Sequence, residues 1–345
     1  MKKVWFLTFT FVVSIMPLAA SGQISIIDSP FLYKAPESYN DCDNSPTPVC
    51  FIDSVAPDLS GQHRSVPVRV RIPQNTTGRL PLILWSHGGG LQDAGRALNE
   101  TWGRTLTRAG YIVIHMSHRD HTAVQRAAVC LEFNAADQDE CMNLPMVAVL
   151  QPRDANTVLA ALDWFEQNIP ALSGRIDRNN IAVAGWSGGS LTAMAHAGAR
   201  FHITDAFSDV GFANPLPKVF LANSPQGPDY TGFKADSWRE IARPVLTATG
   251  PGDATPGEDA PSRLVAFRAM PPGKKYQLYI NHPDTIHATF NLENTDHPEF
   301  SQWLASYTLA YFDSYLKNRP VAGAYLISSR LPLQGSRRTV SIYRK

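Results

Sequence analysis

The sequence predicts an α/β fold with a mostly parallel central sheet and helices on both of its faces. Three observations carry that prediction. Short apolar, partly β-branched runs alternate with helix-length segments, the pattern of successive strand–helix units. Several runs are apolar throughout instead of alternating, as strands covered on both faces must be. One of them, residues 181–184, enters Gly185-Trp186-Ser187-Gly188-Gly189 and then the small-residue segment 191–199. That order gives a strand, a tight turn and a helix.

The elements follow in chain order. Residues 1–22 open with Met-Lys-Lys, continue in an apolar run and end in Ala-Ala-Ser-Gly, the layout of a secretory signal peptide. The run is short for a bilayer span, so no stable membrane anchor is expected, and the chain reads as secreted or periplasmic. Residues 23–345 read as a single domain without internal repeat or linker. Within it, residues 23–62 lack periodicity and are expected to wrap irregularly on the domain. The four cysteines fit an oxidising compartment. Cys42 lies near Cys50 and Cys130 near Cys141, so two local disulfides are the simplest of three pairings.

Residues 66–72 alternate apolar and polar side chains as a half-exposed strand does, and 73–78 form a turn. Residues 80–85 are a buried strand that runs into Ser86-His87-Gly88-Gly89-Gly90. A helix is predicted over 97–109 and a strand over 111–115. Segment 122–151 is weakly periodic, a candidate lid or pocket insertion. Residues 153–165 form an amphipathic helix with Val158, Leu159, Leu162 and Phe165 on one face. Residues 176–180 lead into the strand before Ser187. Further strands are expected over 218–222, 243–249 and 275–280, and helices over 262–270 and 304–316.

The composition narrows the function. With 44% hydrophobic residues the chain can bury a large core, and a net charge of +1 without a basic run argues against nucleic-acid binding. A serine on a tight turn at a strand end is placed to act as a nucleophile, and Gly185 and Gly189 let neighbouring backbones approach it. The glycines after His87 supply backbone N–H groups that can stabilise an oxyanion; Gly89 and Gly188 are the expected donors. Serine needs a base, usually a histidine oriented by a carboxylate. Asp253, the first carboxylate after the 243–249 strand, is the expected acid, with Asp229, Asp236, Glu258 and Asp259 as alternatives. His287 is the expected base among His282, His287 and His297. Trp186 and His118 are expected to shape the substrate pocket. His115, His118, His121 and Asp120 match no zinc spacing, so neither metal nor other cofactor is expected.

Ser86-His-Gly-Gly-Gly90, Gly185-Trp-Ser-Gly-Gly189, Thr249-Gly-Pro-Gly-Asp253 and His287-Ala-Thr-Phe290 occur in the order found in α/β-hydrolases. Over residues 65 to 316 the chain resembles that superfamily, and within it the secreted group related to dienelactone hydrolases and platelet-activating-factor acetylhydrolases. The resemblance implies an α/β-hydrolase fold and a serine esterase acting on small-molecule or polymeric esters. Position 187 is serine where dienelactone hydrolases proper use cysteine, so their substrate does not carry over. Acetylhydrolases often place their acid after the preceding strand, where this chain has Asn223, which favours Asp253. Alternatives are a lipid-directed hydrolase (a phospholipase A2-like acetylhydrolase or lipase), a polyester hydrolase, and a non-catalytic binding protein on the same fold.

Overall fold

The computed structural model describes residues 32–36, 39, 51–61, 63–89, 95–118, 122–132, 145–203, 205, 208–229, 231–328 and 340–345. Residues 1–22, Cys42, Cys50, Cys141, Asp120 and His121 lie outside them. The strands are β1 (Ile52–Ala56), β2 (Val66–Arg71), β3 (Leu80–Ser86), β4 (Ile112–Met116), β5 (Ile176–Trp186), β6 (Arg200–Phe201), β7 (Val210–Gly211), β8 (Val219–Asn223), β9 (Val245–Thr249), β10 (Lys275–Ile280) and β11 (Val340–Arg344). Among the described residues, nine of them form one sheet in the order β1-β2-β4-β3-β5-β8-β9-β10-β11, and β6 pairs with β7 separately. The run from β4 through β10 is parallel; β1, β2 and β11 join antiparallel at the edges. This is an α/β-hydrolase fold.

The helices are α1 (Glu100–Arg108), α2 (Ala123–Glu132), α3 (Pro145–Ala160), α4 (Leu162–Asn168), α5 (Gly188–Ala197), α6 (Val265–Ala269), α7 (Pro298–Leu316) and α8 (Pro320–Ile327). The strand period of two sends successive side chains into two separate cores. Leu82, Leu84, Ile112, Ile114, Ile181 and Val183 face the side that holds Leu159 and Phe165 of α3 and α4 and Leu191 of α5. Ile83, Trp85, Val113, Ala182 and Ala184 face Trp102 of α1 and Trp303, Tyr307 and Tyr311 of α7. The small Ala182 and Ala184 leave room for those aromatic rings. The i, i+4, i+8 spacing of the three aromatics puts them on one stripe of α7.

Residues 32–36 do lie against the domain. Tyr33 N–H donates to Ser306 Oγ at 2.7 Å, and its hydroxyl donates to Asp313 Oδ2 at 2.7 Å. Four expectations need correction. Part of the irregular 23–62 segment is the strand β1, whose short alternation becomes regular only by pairing with β2. The predicted 153–165 helix is two helices, α3 beginning at Pro145 and α4 following a break at Ala161. The described ends of the 122–151 segment are therefore helical, as α2 and the start of α3. Finally, α7 begins at Pro298, with proline at its first turn, where it costs no hydrogen bond.

Candidate active site

Strand β5 ends at Trp186, and α5 begins at Gly188, so Ser187 sits alone on the turn between them. Its φ of 55° and ψ of −124° lie where an L-residue is strained. The surroundings hold it there. Its N–H donates to Asn223 O at 2.9 Å, and its carbonyl accepts Ser190 N–H at 2.9 Å. Gly185 and Gly189 are required by contact: a Cβ at 185 would lie 2.2 Å from Gly189 O, and one at 189 would lie 2.0 Å from Ser86 O.

Ser187, His287 and Asp253 are brought together from three strand ends. His287 Nε2 lies 2.8 Å from Ser187 Oγ, and His287 Nδ1 lies 2.7 Å from Asp253 Oδ1. A carboxylate can only accept, so Nδ1–H donates to Asp253 and Nε2 is left to accept the serine proton. Asp253 is fully buried. Its other oxygen accepts Thr249 Oγ1–H at 2.8 Å. The wholly buried Arg263 sits 3.3 Å from Asp253 Oδ1 and donates from Nε to the Asp253 carbonyl at 2.7 Å. Its other end reaches Glu258 Oε2 at 3.0 Å. Burial pushes the Glu258 carboxyl above its ordinary value, with Arg263 opposing. A buried guanidinium between two carboxylates offsets the charge that desolvation would otherwise penalise. Sequence reasoning missed Arg263; within a predicted helix nothing sets it apart from a surface arginine.

The other carboxylates and histidines considered are engaged elsewhere. Asp229 pairs with Lys234 and Asp236 with Arg239, while Asp259 accepts Ser262 N–H. His297 lies 3.1 Å from Asp284, and His282 lies 3.6 Å from it. Asn223, at the position considered for an acid, is structural: its Nδ2 donates to Phe290 O at 3.2 Å. Trp102 Nε1 donates to the same carbonyl at 3.2 Å, and Asn99 Nδ2 donates to Asn291 Oδ1 at 2.6 Å. The Asn223 bond links the segment after His287 to the residue whose carbonyl holds the Ser187 N–H, and the other two tie that segment to the start of α1.

The glycine loop after β3 runs beside α5. A Cβ at Gly188 would lie 3.0 Å from the Gly89 nitrogen, so the two expected oxyanion donors belong to touching backbones. The Gly88–Gly89 peptide is held by His87, whose Nδ1 lies 2.7 Å from Gly88 O. His118 N–H donates to His87 Nε2 at 3.2 Å, which makes Nε2 the acceptor and Nδ1 the protonated nitrogen. In a trans peptide the Gly89 N–H points away from the Gly88 carbonyl, so fixing that carbonyl also aims the amide.

His118, expected in the substrate pocket, belongs instead to the support of this loop. It is buried, with Nδ1 3.0 Å from Asp154 Oδ2 and Nε2 2.8 Å from Ser86 Oγ. Arg64 Nε donates to Asp154 Oδ1 at 3.1 Å. The apolar strand before residue 118 gave no hint that this partner waits on α3. Trp186 is half-buried; its ring centroid is 4.8 Å from that of His287, and its Nε1 donates to His287 O at 3.2 Å. A Cβ at Gly88 would lie 2.5 Å from the Trp186 ring, so this side chain fills the space between loop and histidine. A hollow of about 520 Å³ near the acid is lined by Pro228, Asp229, Ala254, Thr255 and Glu258, among others, and not by Ser187 or His287.

Chemically, a serine hydroxyl on an imidazole nitrogen, with a buried carboxylate behind the ring, can lose its proton as it attacks a carbonyl. Among the described residues, no helix is long and apolar enough to cross a membrane. Cys130 is buried on α2, and its three possible partners lie outside the described residues. No curated protein matches the chain. The family model for platelet-activating factor acetylhydrolase, isoform II, matches residues 54–160, from β1 through α3. The match supports a carboxylic ester hydrolase, and over that segment this α/β-hydrolase-fold chain is similar to the acetylhydrolases.

Proposed function

We propose that this protein is an exported serine esterase that cleaves carboxylic esters through an acyl-enzyme. The observation that carries the reading is the line from Asp253 to His287 to Ser187, with links of 2.7 and 2.8 Å, ending on a strained serine. Ser187 Oγ attacks the ester carbonyl carbon while its proton passes to His287 Nε2. The carbonyl oxygen takes the negative charge and is met by the N–H groups of Gly89 and Gly188. As the tetrahedral intermediate collapses, the C–O bond to the alcohol breaks and the alcohol leaves with the proton from His287. Water repeats the sequence, giving a carboxylic acid and free serine. Asp253 holds the ring with Nε2 toward Ser187 and stabilises the imidazolium, and Arg263 holds Asp253. No cofactor enters the reaction.

Residues 1–22 are proposed as the signal peptide, and Cys42–Cys50 and Cys130–Cys141 as disulfides formed after export. A lipid-directed substrate is the second reading, favoured by the acetylhydrolase match over residues 54–160. Hydrolysis of p-nitrophenyl esters from acetate to palmitate, with Ser187→Ala as control, tests both. Activity on short chains that vanishes in Ser187→Ala supports the esterase. Turnover rising with chain length supports the lipid reading. A fully active Ser187→Ala overturns the mechanism, and absence of both turnover and fluorophosphonate labelling points to a binding protein.

A further inference from the structure

The segment that carries His287 is closed at both ends by residues with metal-ligating chemistry. His282 and Asp284 lie at its start, and His297 lies just before α7. One ligand atom from each comes within 4.8 Å of the others. Asp284 Oδ2 lies 3.1 Å from His297 Nε2 and 3.6 Å from His282 Nδ1. A tetrahedral zinc ion with bonds of 2.0–2.1 Å separates its ligands by roughly 3.4 Å, so both measured edges bracket the required length.

The surroundings supply features that coordination needs. Glu299 Oε1 lies 3.1 Å from His297 Nδ1, on the opposite side of the ring from Asp284. That is the carboxylate–histidine arrangement that protonates one nitrogen and aims the other at a metal. Both imidazoles brace on the buried Phe300, with centroid distances of 4.6 Å for His297, lying parallel, and 5.2 Å for His282. The Asp284 N–H to His282 Nδ1 contact, at 3.3 Å, is long enough for a metal bond to replace it. The three side chains are partly exposed, which leaves an entry path and a fourth position for water.

We propose that His282, Asp284 and His297 form a zinc site with Glu299 behind His297, clipping together the two ends of the segment that bears His287. The ligand set of two imidazoles and one carboxylate selects zinc or a similar transition ion over calcium and magnesium, which prefer all-oxygen sites. The inference does not depend on the esterase reading. It is tested with untagged full-length protein stripped by EDTA. Calorimetric titration with zinc chloride should show one saturable equivalent, and a hundredfold excess over Kd should raise the unfolding midpoint by roughly 5 °C. Calcium and magnesium should do neither. His282→Gln/His297→Gln, whose zinc-free midpoint should match the parent within about 2 °C because both side chains are partly exposed, should bind at least a hundredfold more weakly. If the pair affects folding, Glu299→Gln alone should weaken binding about tenfold or more. Absence of a saturable equivalent, or one that survives the double substitution, overturns the proposal.

Discussion

Position 89 has room for a side chain, so the role of its amide can be tested by substitution. A Cβ at Gly89 meets no atom within 4 Å, and Gly89 is not among the residues with positive φ. Gly89→Ala therefore keeps the backbone and the N–H, and its kcat for p-nitrophenyl acetate should stay within about threefold of the parent. Gly89→Pro deletes the donor and puts the ring Cδ where the amide hydrogen stood. Loss of one oxyanion donor costs about 10²–10³ in kcat, or roughly 2.7–4 kcal/mol of transition-state stabilisation. The same factor should appear in the rate of fluorophosphonate labelling, which also develops a charged oxygen at this position. KM should change little, because the bond strengthens only as charge develops. The comparison is between the two variants, each checked by its thermal midpoint, so effects of any side chain at the position cancel. A proline variant within tenfold of the alanine variant, or an alanine variant as damaged as the proline one, would refute the assignment of this amide.

Asp253→Asn should leave the fold intact and lower kcat by roughly three to four orders of magnitude with little change in KM, since an amide can present its N–H to His287 Nδ1 and invert the tautomer; kcat within tenfold of the parent would contradict the role. Asp154→Ala leaves Arg64, only 5% exposed in its side chain, without its buried carboxylate. It should cost about 3–5 kcal/mol by urea unfolding, partly recovered by adding Arg64→Met; a loss below 1 kcal/mol would show the pair to be dispensable. His196 is buried, and burial lowers its pKa to about 4, so the unfolded chain binds a proton that the folded one refuses as pH falls below 6.5. Stability should therefore decline from pH 7 to pH 5, by about 2 kcal/mol from this residue, and His196→Gln should remove that part of the slope. An unchanged slope would mean that His196 is not the source.

The fold and the grouping of the candidate site were legible because each rests on a local rule. Short apolar runs at 80–85 and 181–184, each followed by glycines, read as strands covered on both faces, and Gly185 and Gly189 are required because a Cβ at either would lie within 2.5 Å of neighbouring backbone. The candidate acid and base were picked by chain order and nearness to strand ends, and the structure brings both side chains to Ser187. What escaped depends on contacts distant in sequence. Arg263 is ordinary until Asp253 and Glu258 close on it; His118 was assigned to the pocket from its place at a strand end, and its partner Asp154 lies on another element. The strand β1 is too short to declare itself without β2. The start of α3 was hidden by Pro152, which reads as a helix breaker yet lies within the helix.

The central claim is that Ser187 is the nucleophile, and covalent trapping tests it most directly. Treatment of the full chain with a fluorophosphonate, followed by intact-mass measurement and peptide mapping, should give a single adduct on Ser187. The adduct should be absent from Ser187→Ala and form at least a hundredfold more slowly in His287→Ala. An adduct on any other residue, or ester turnover that persists in Ser187→Ala, would contradict the account.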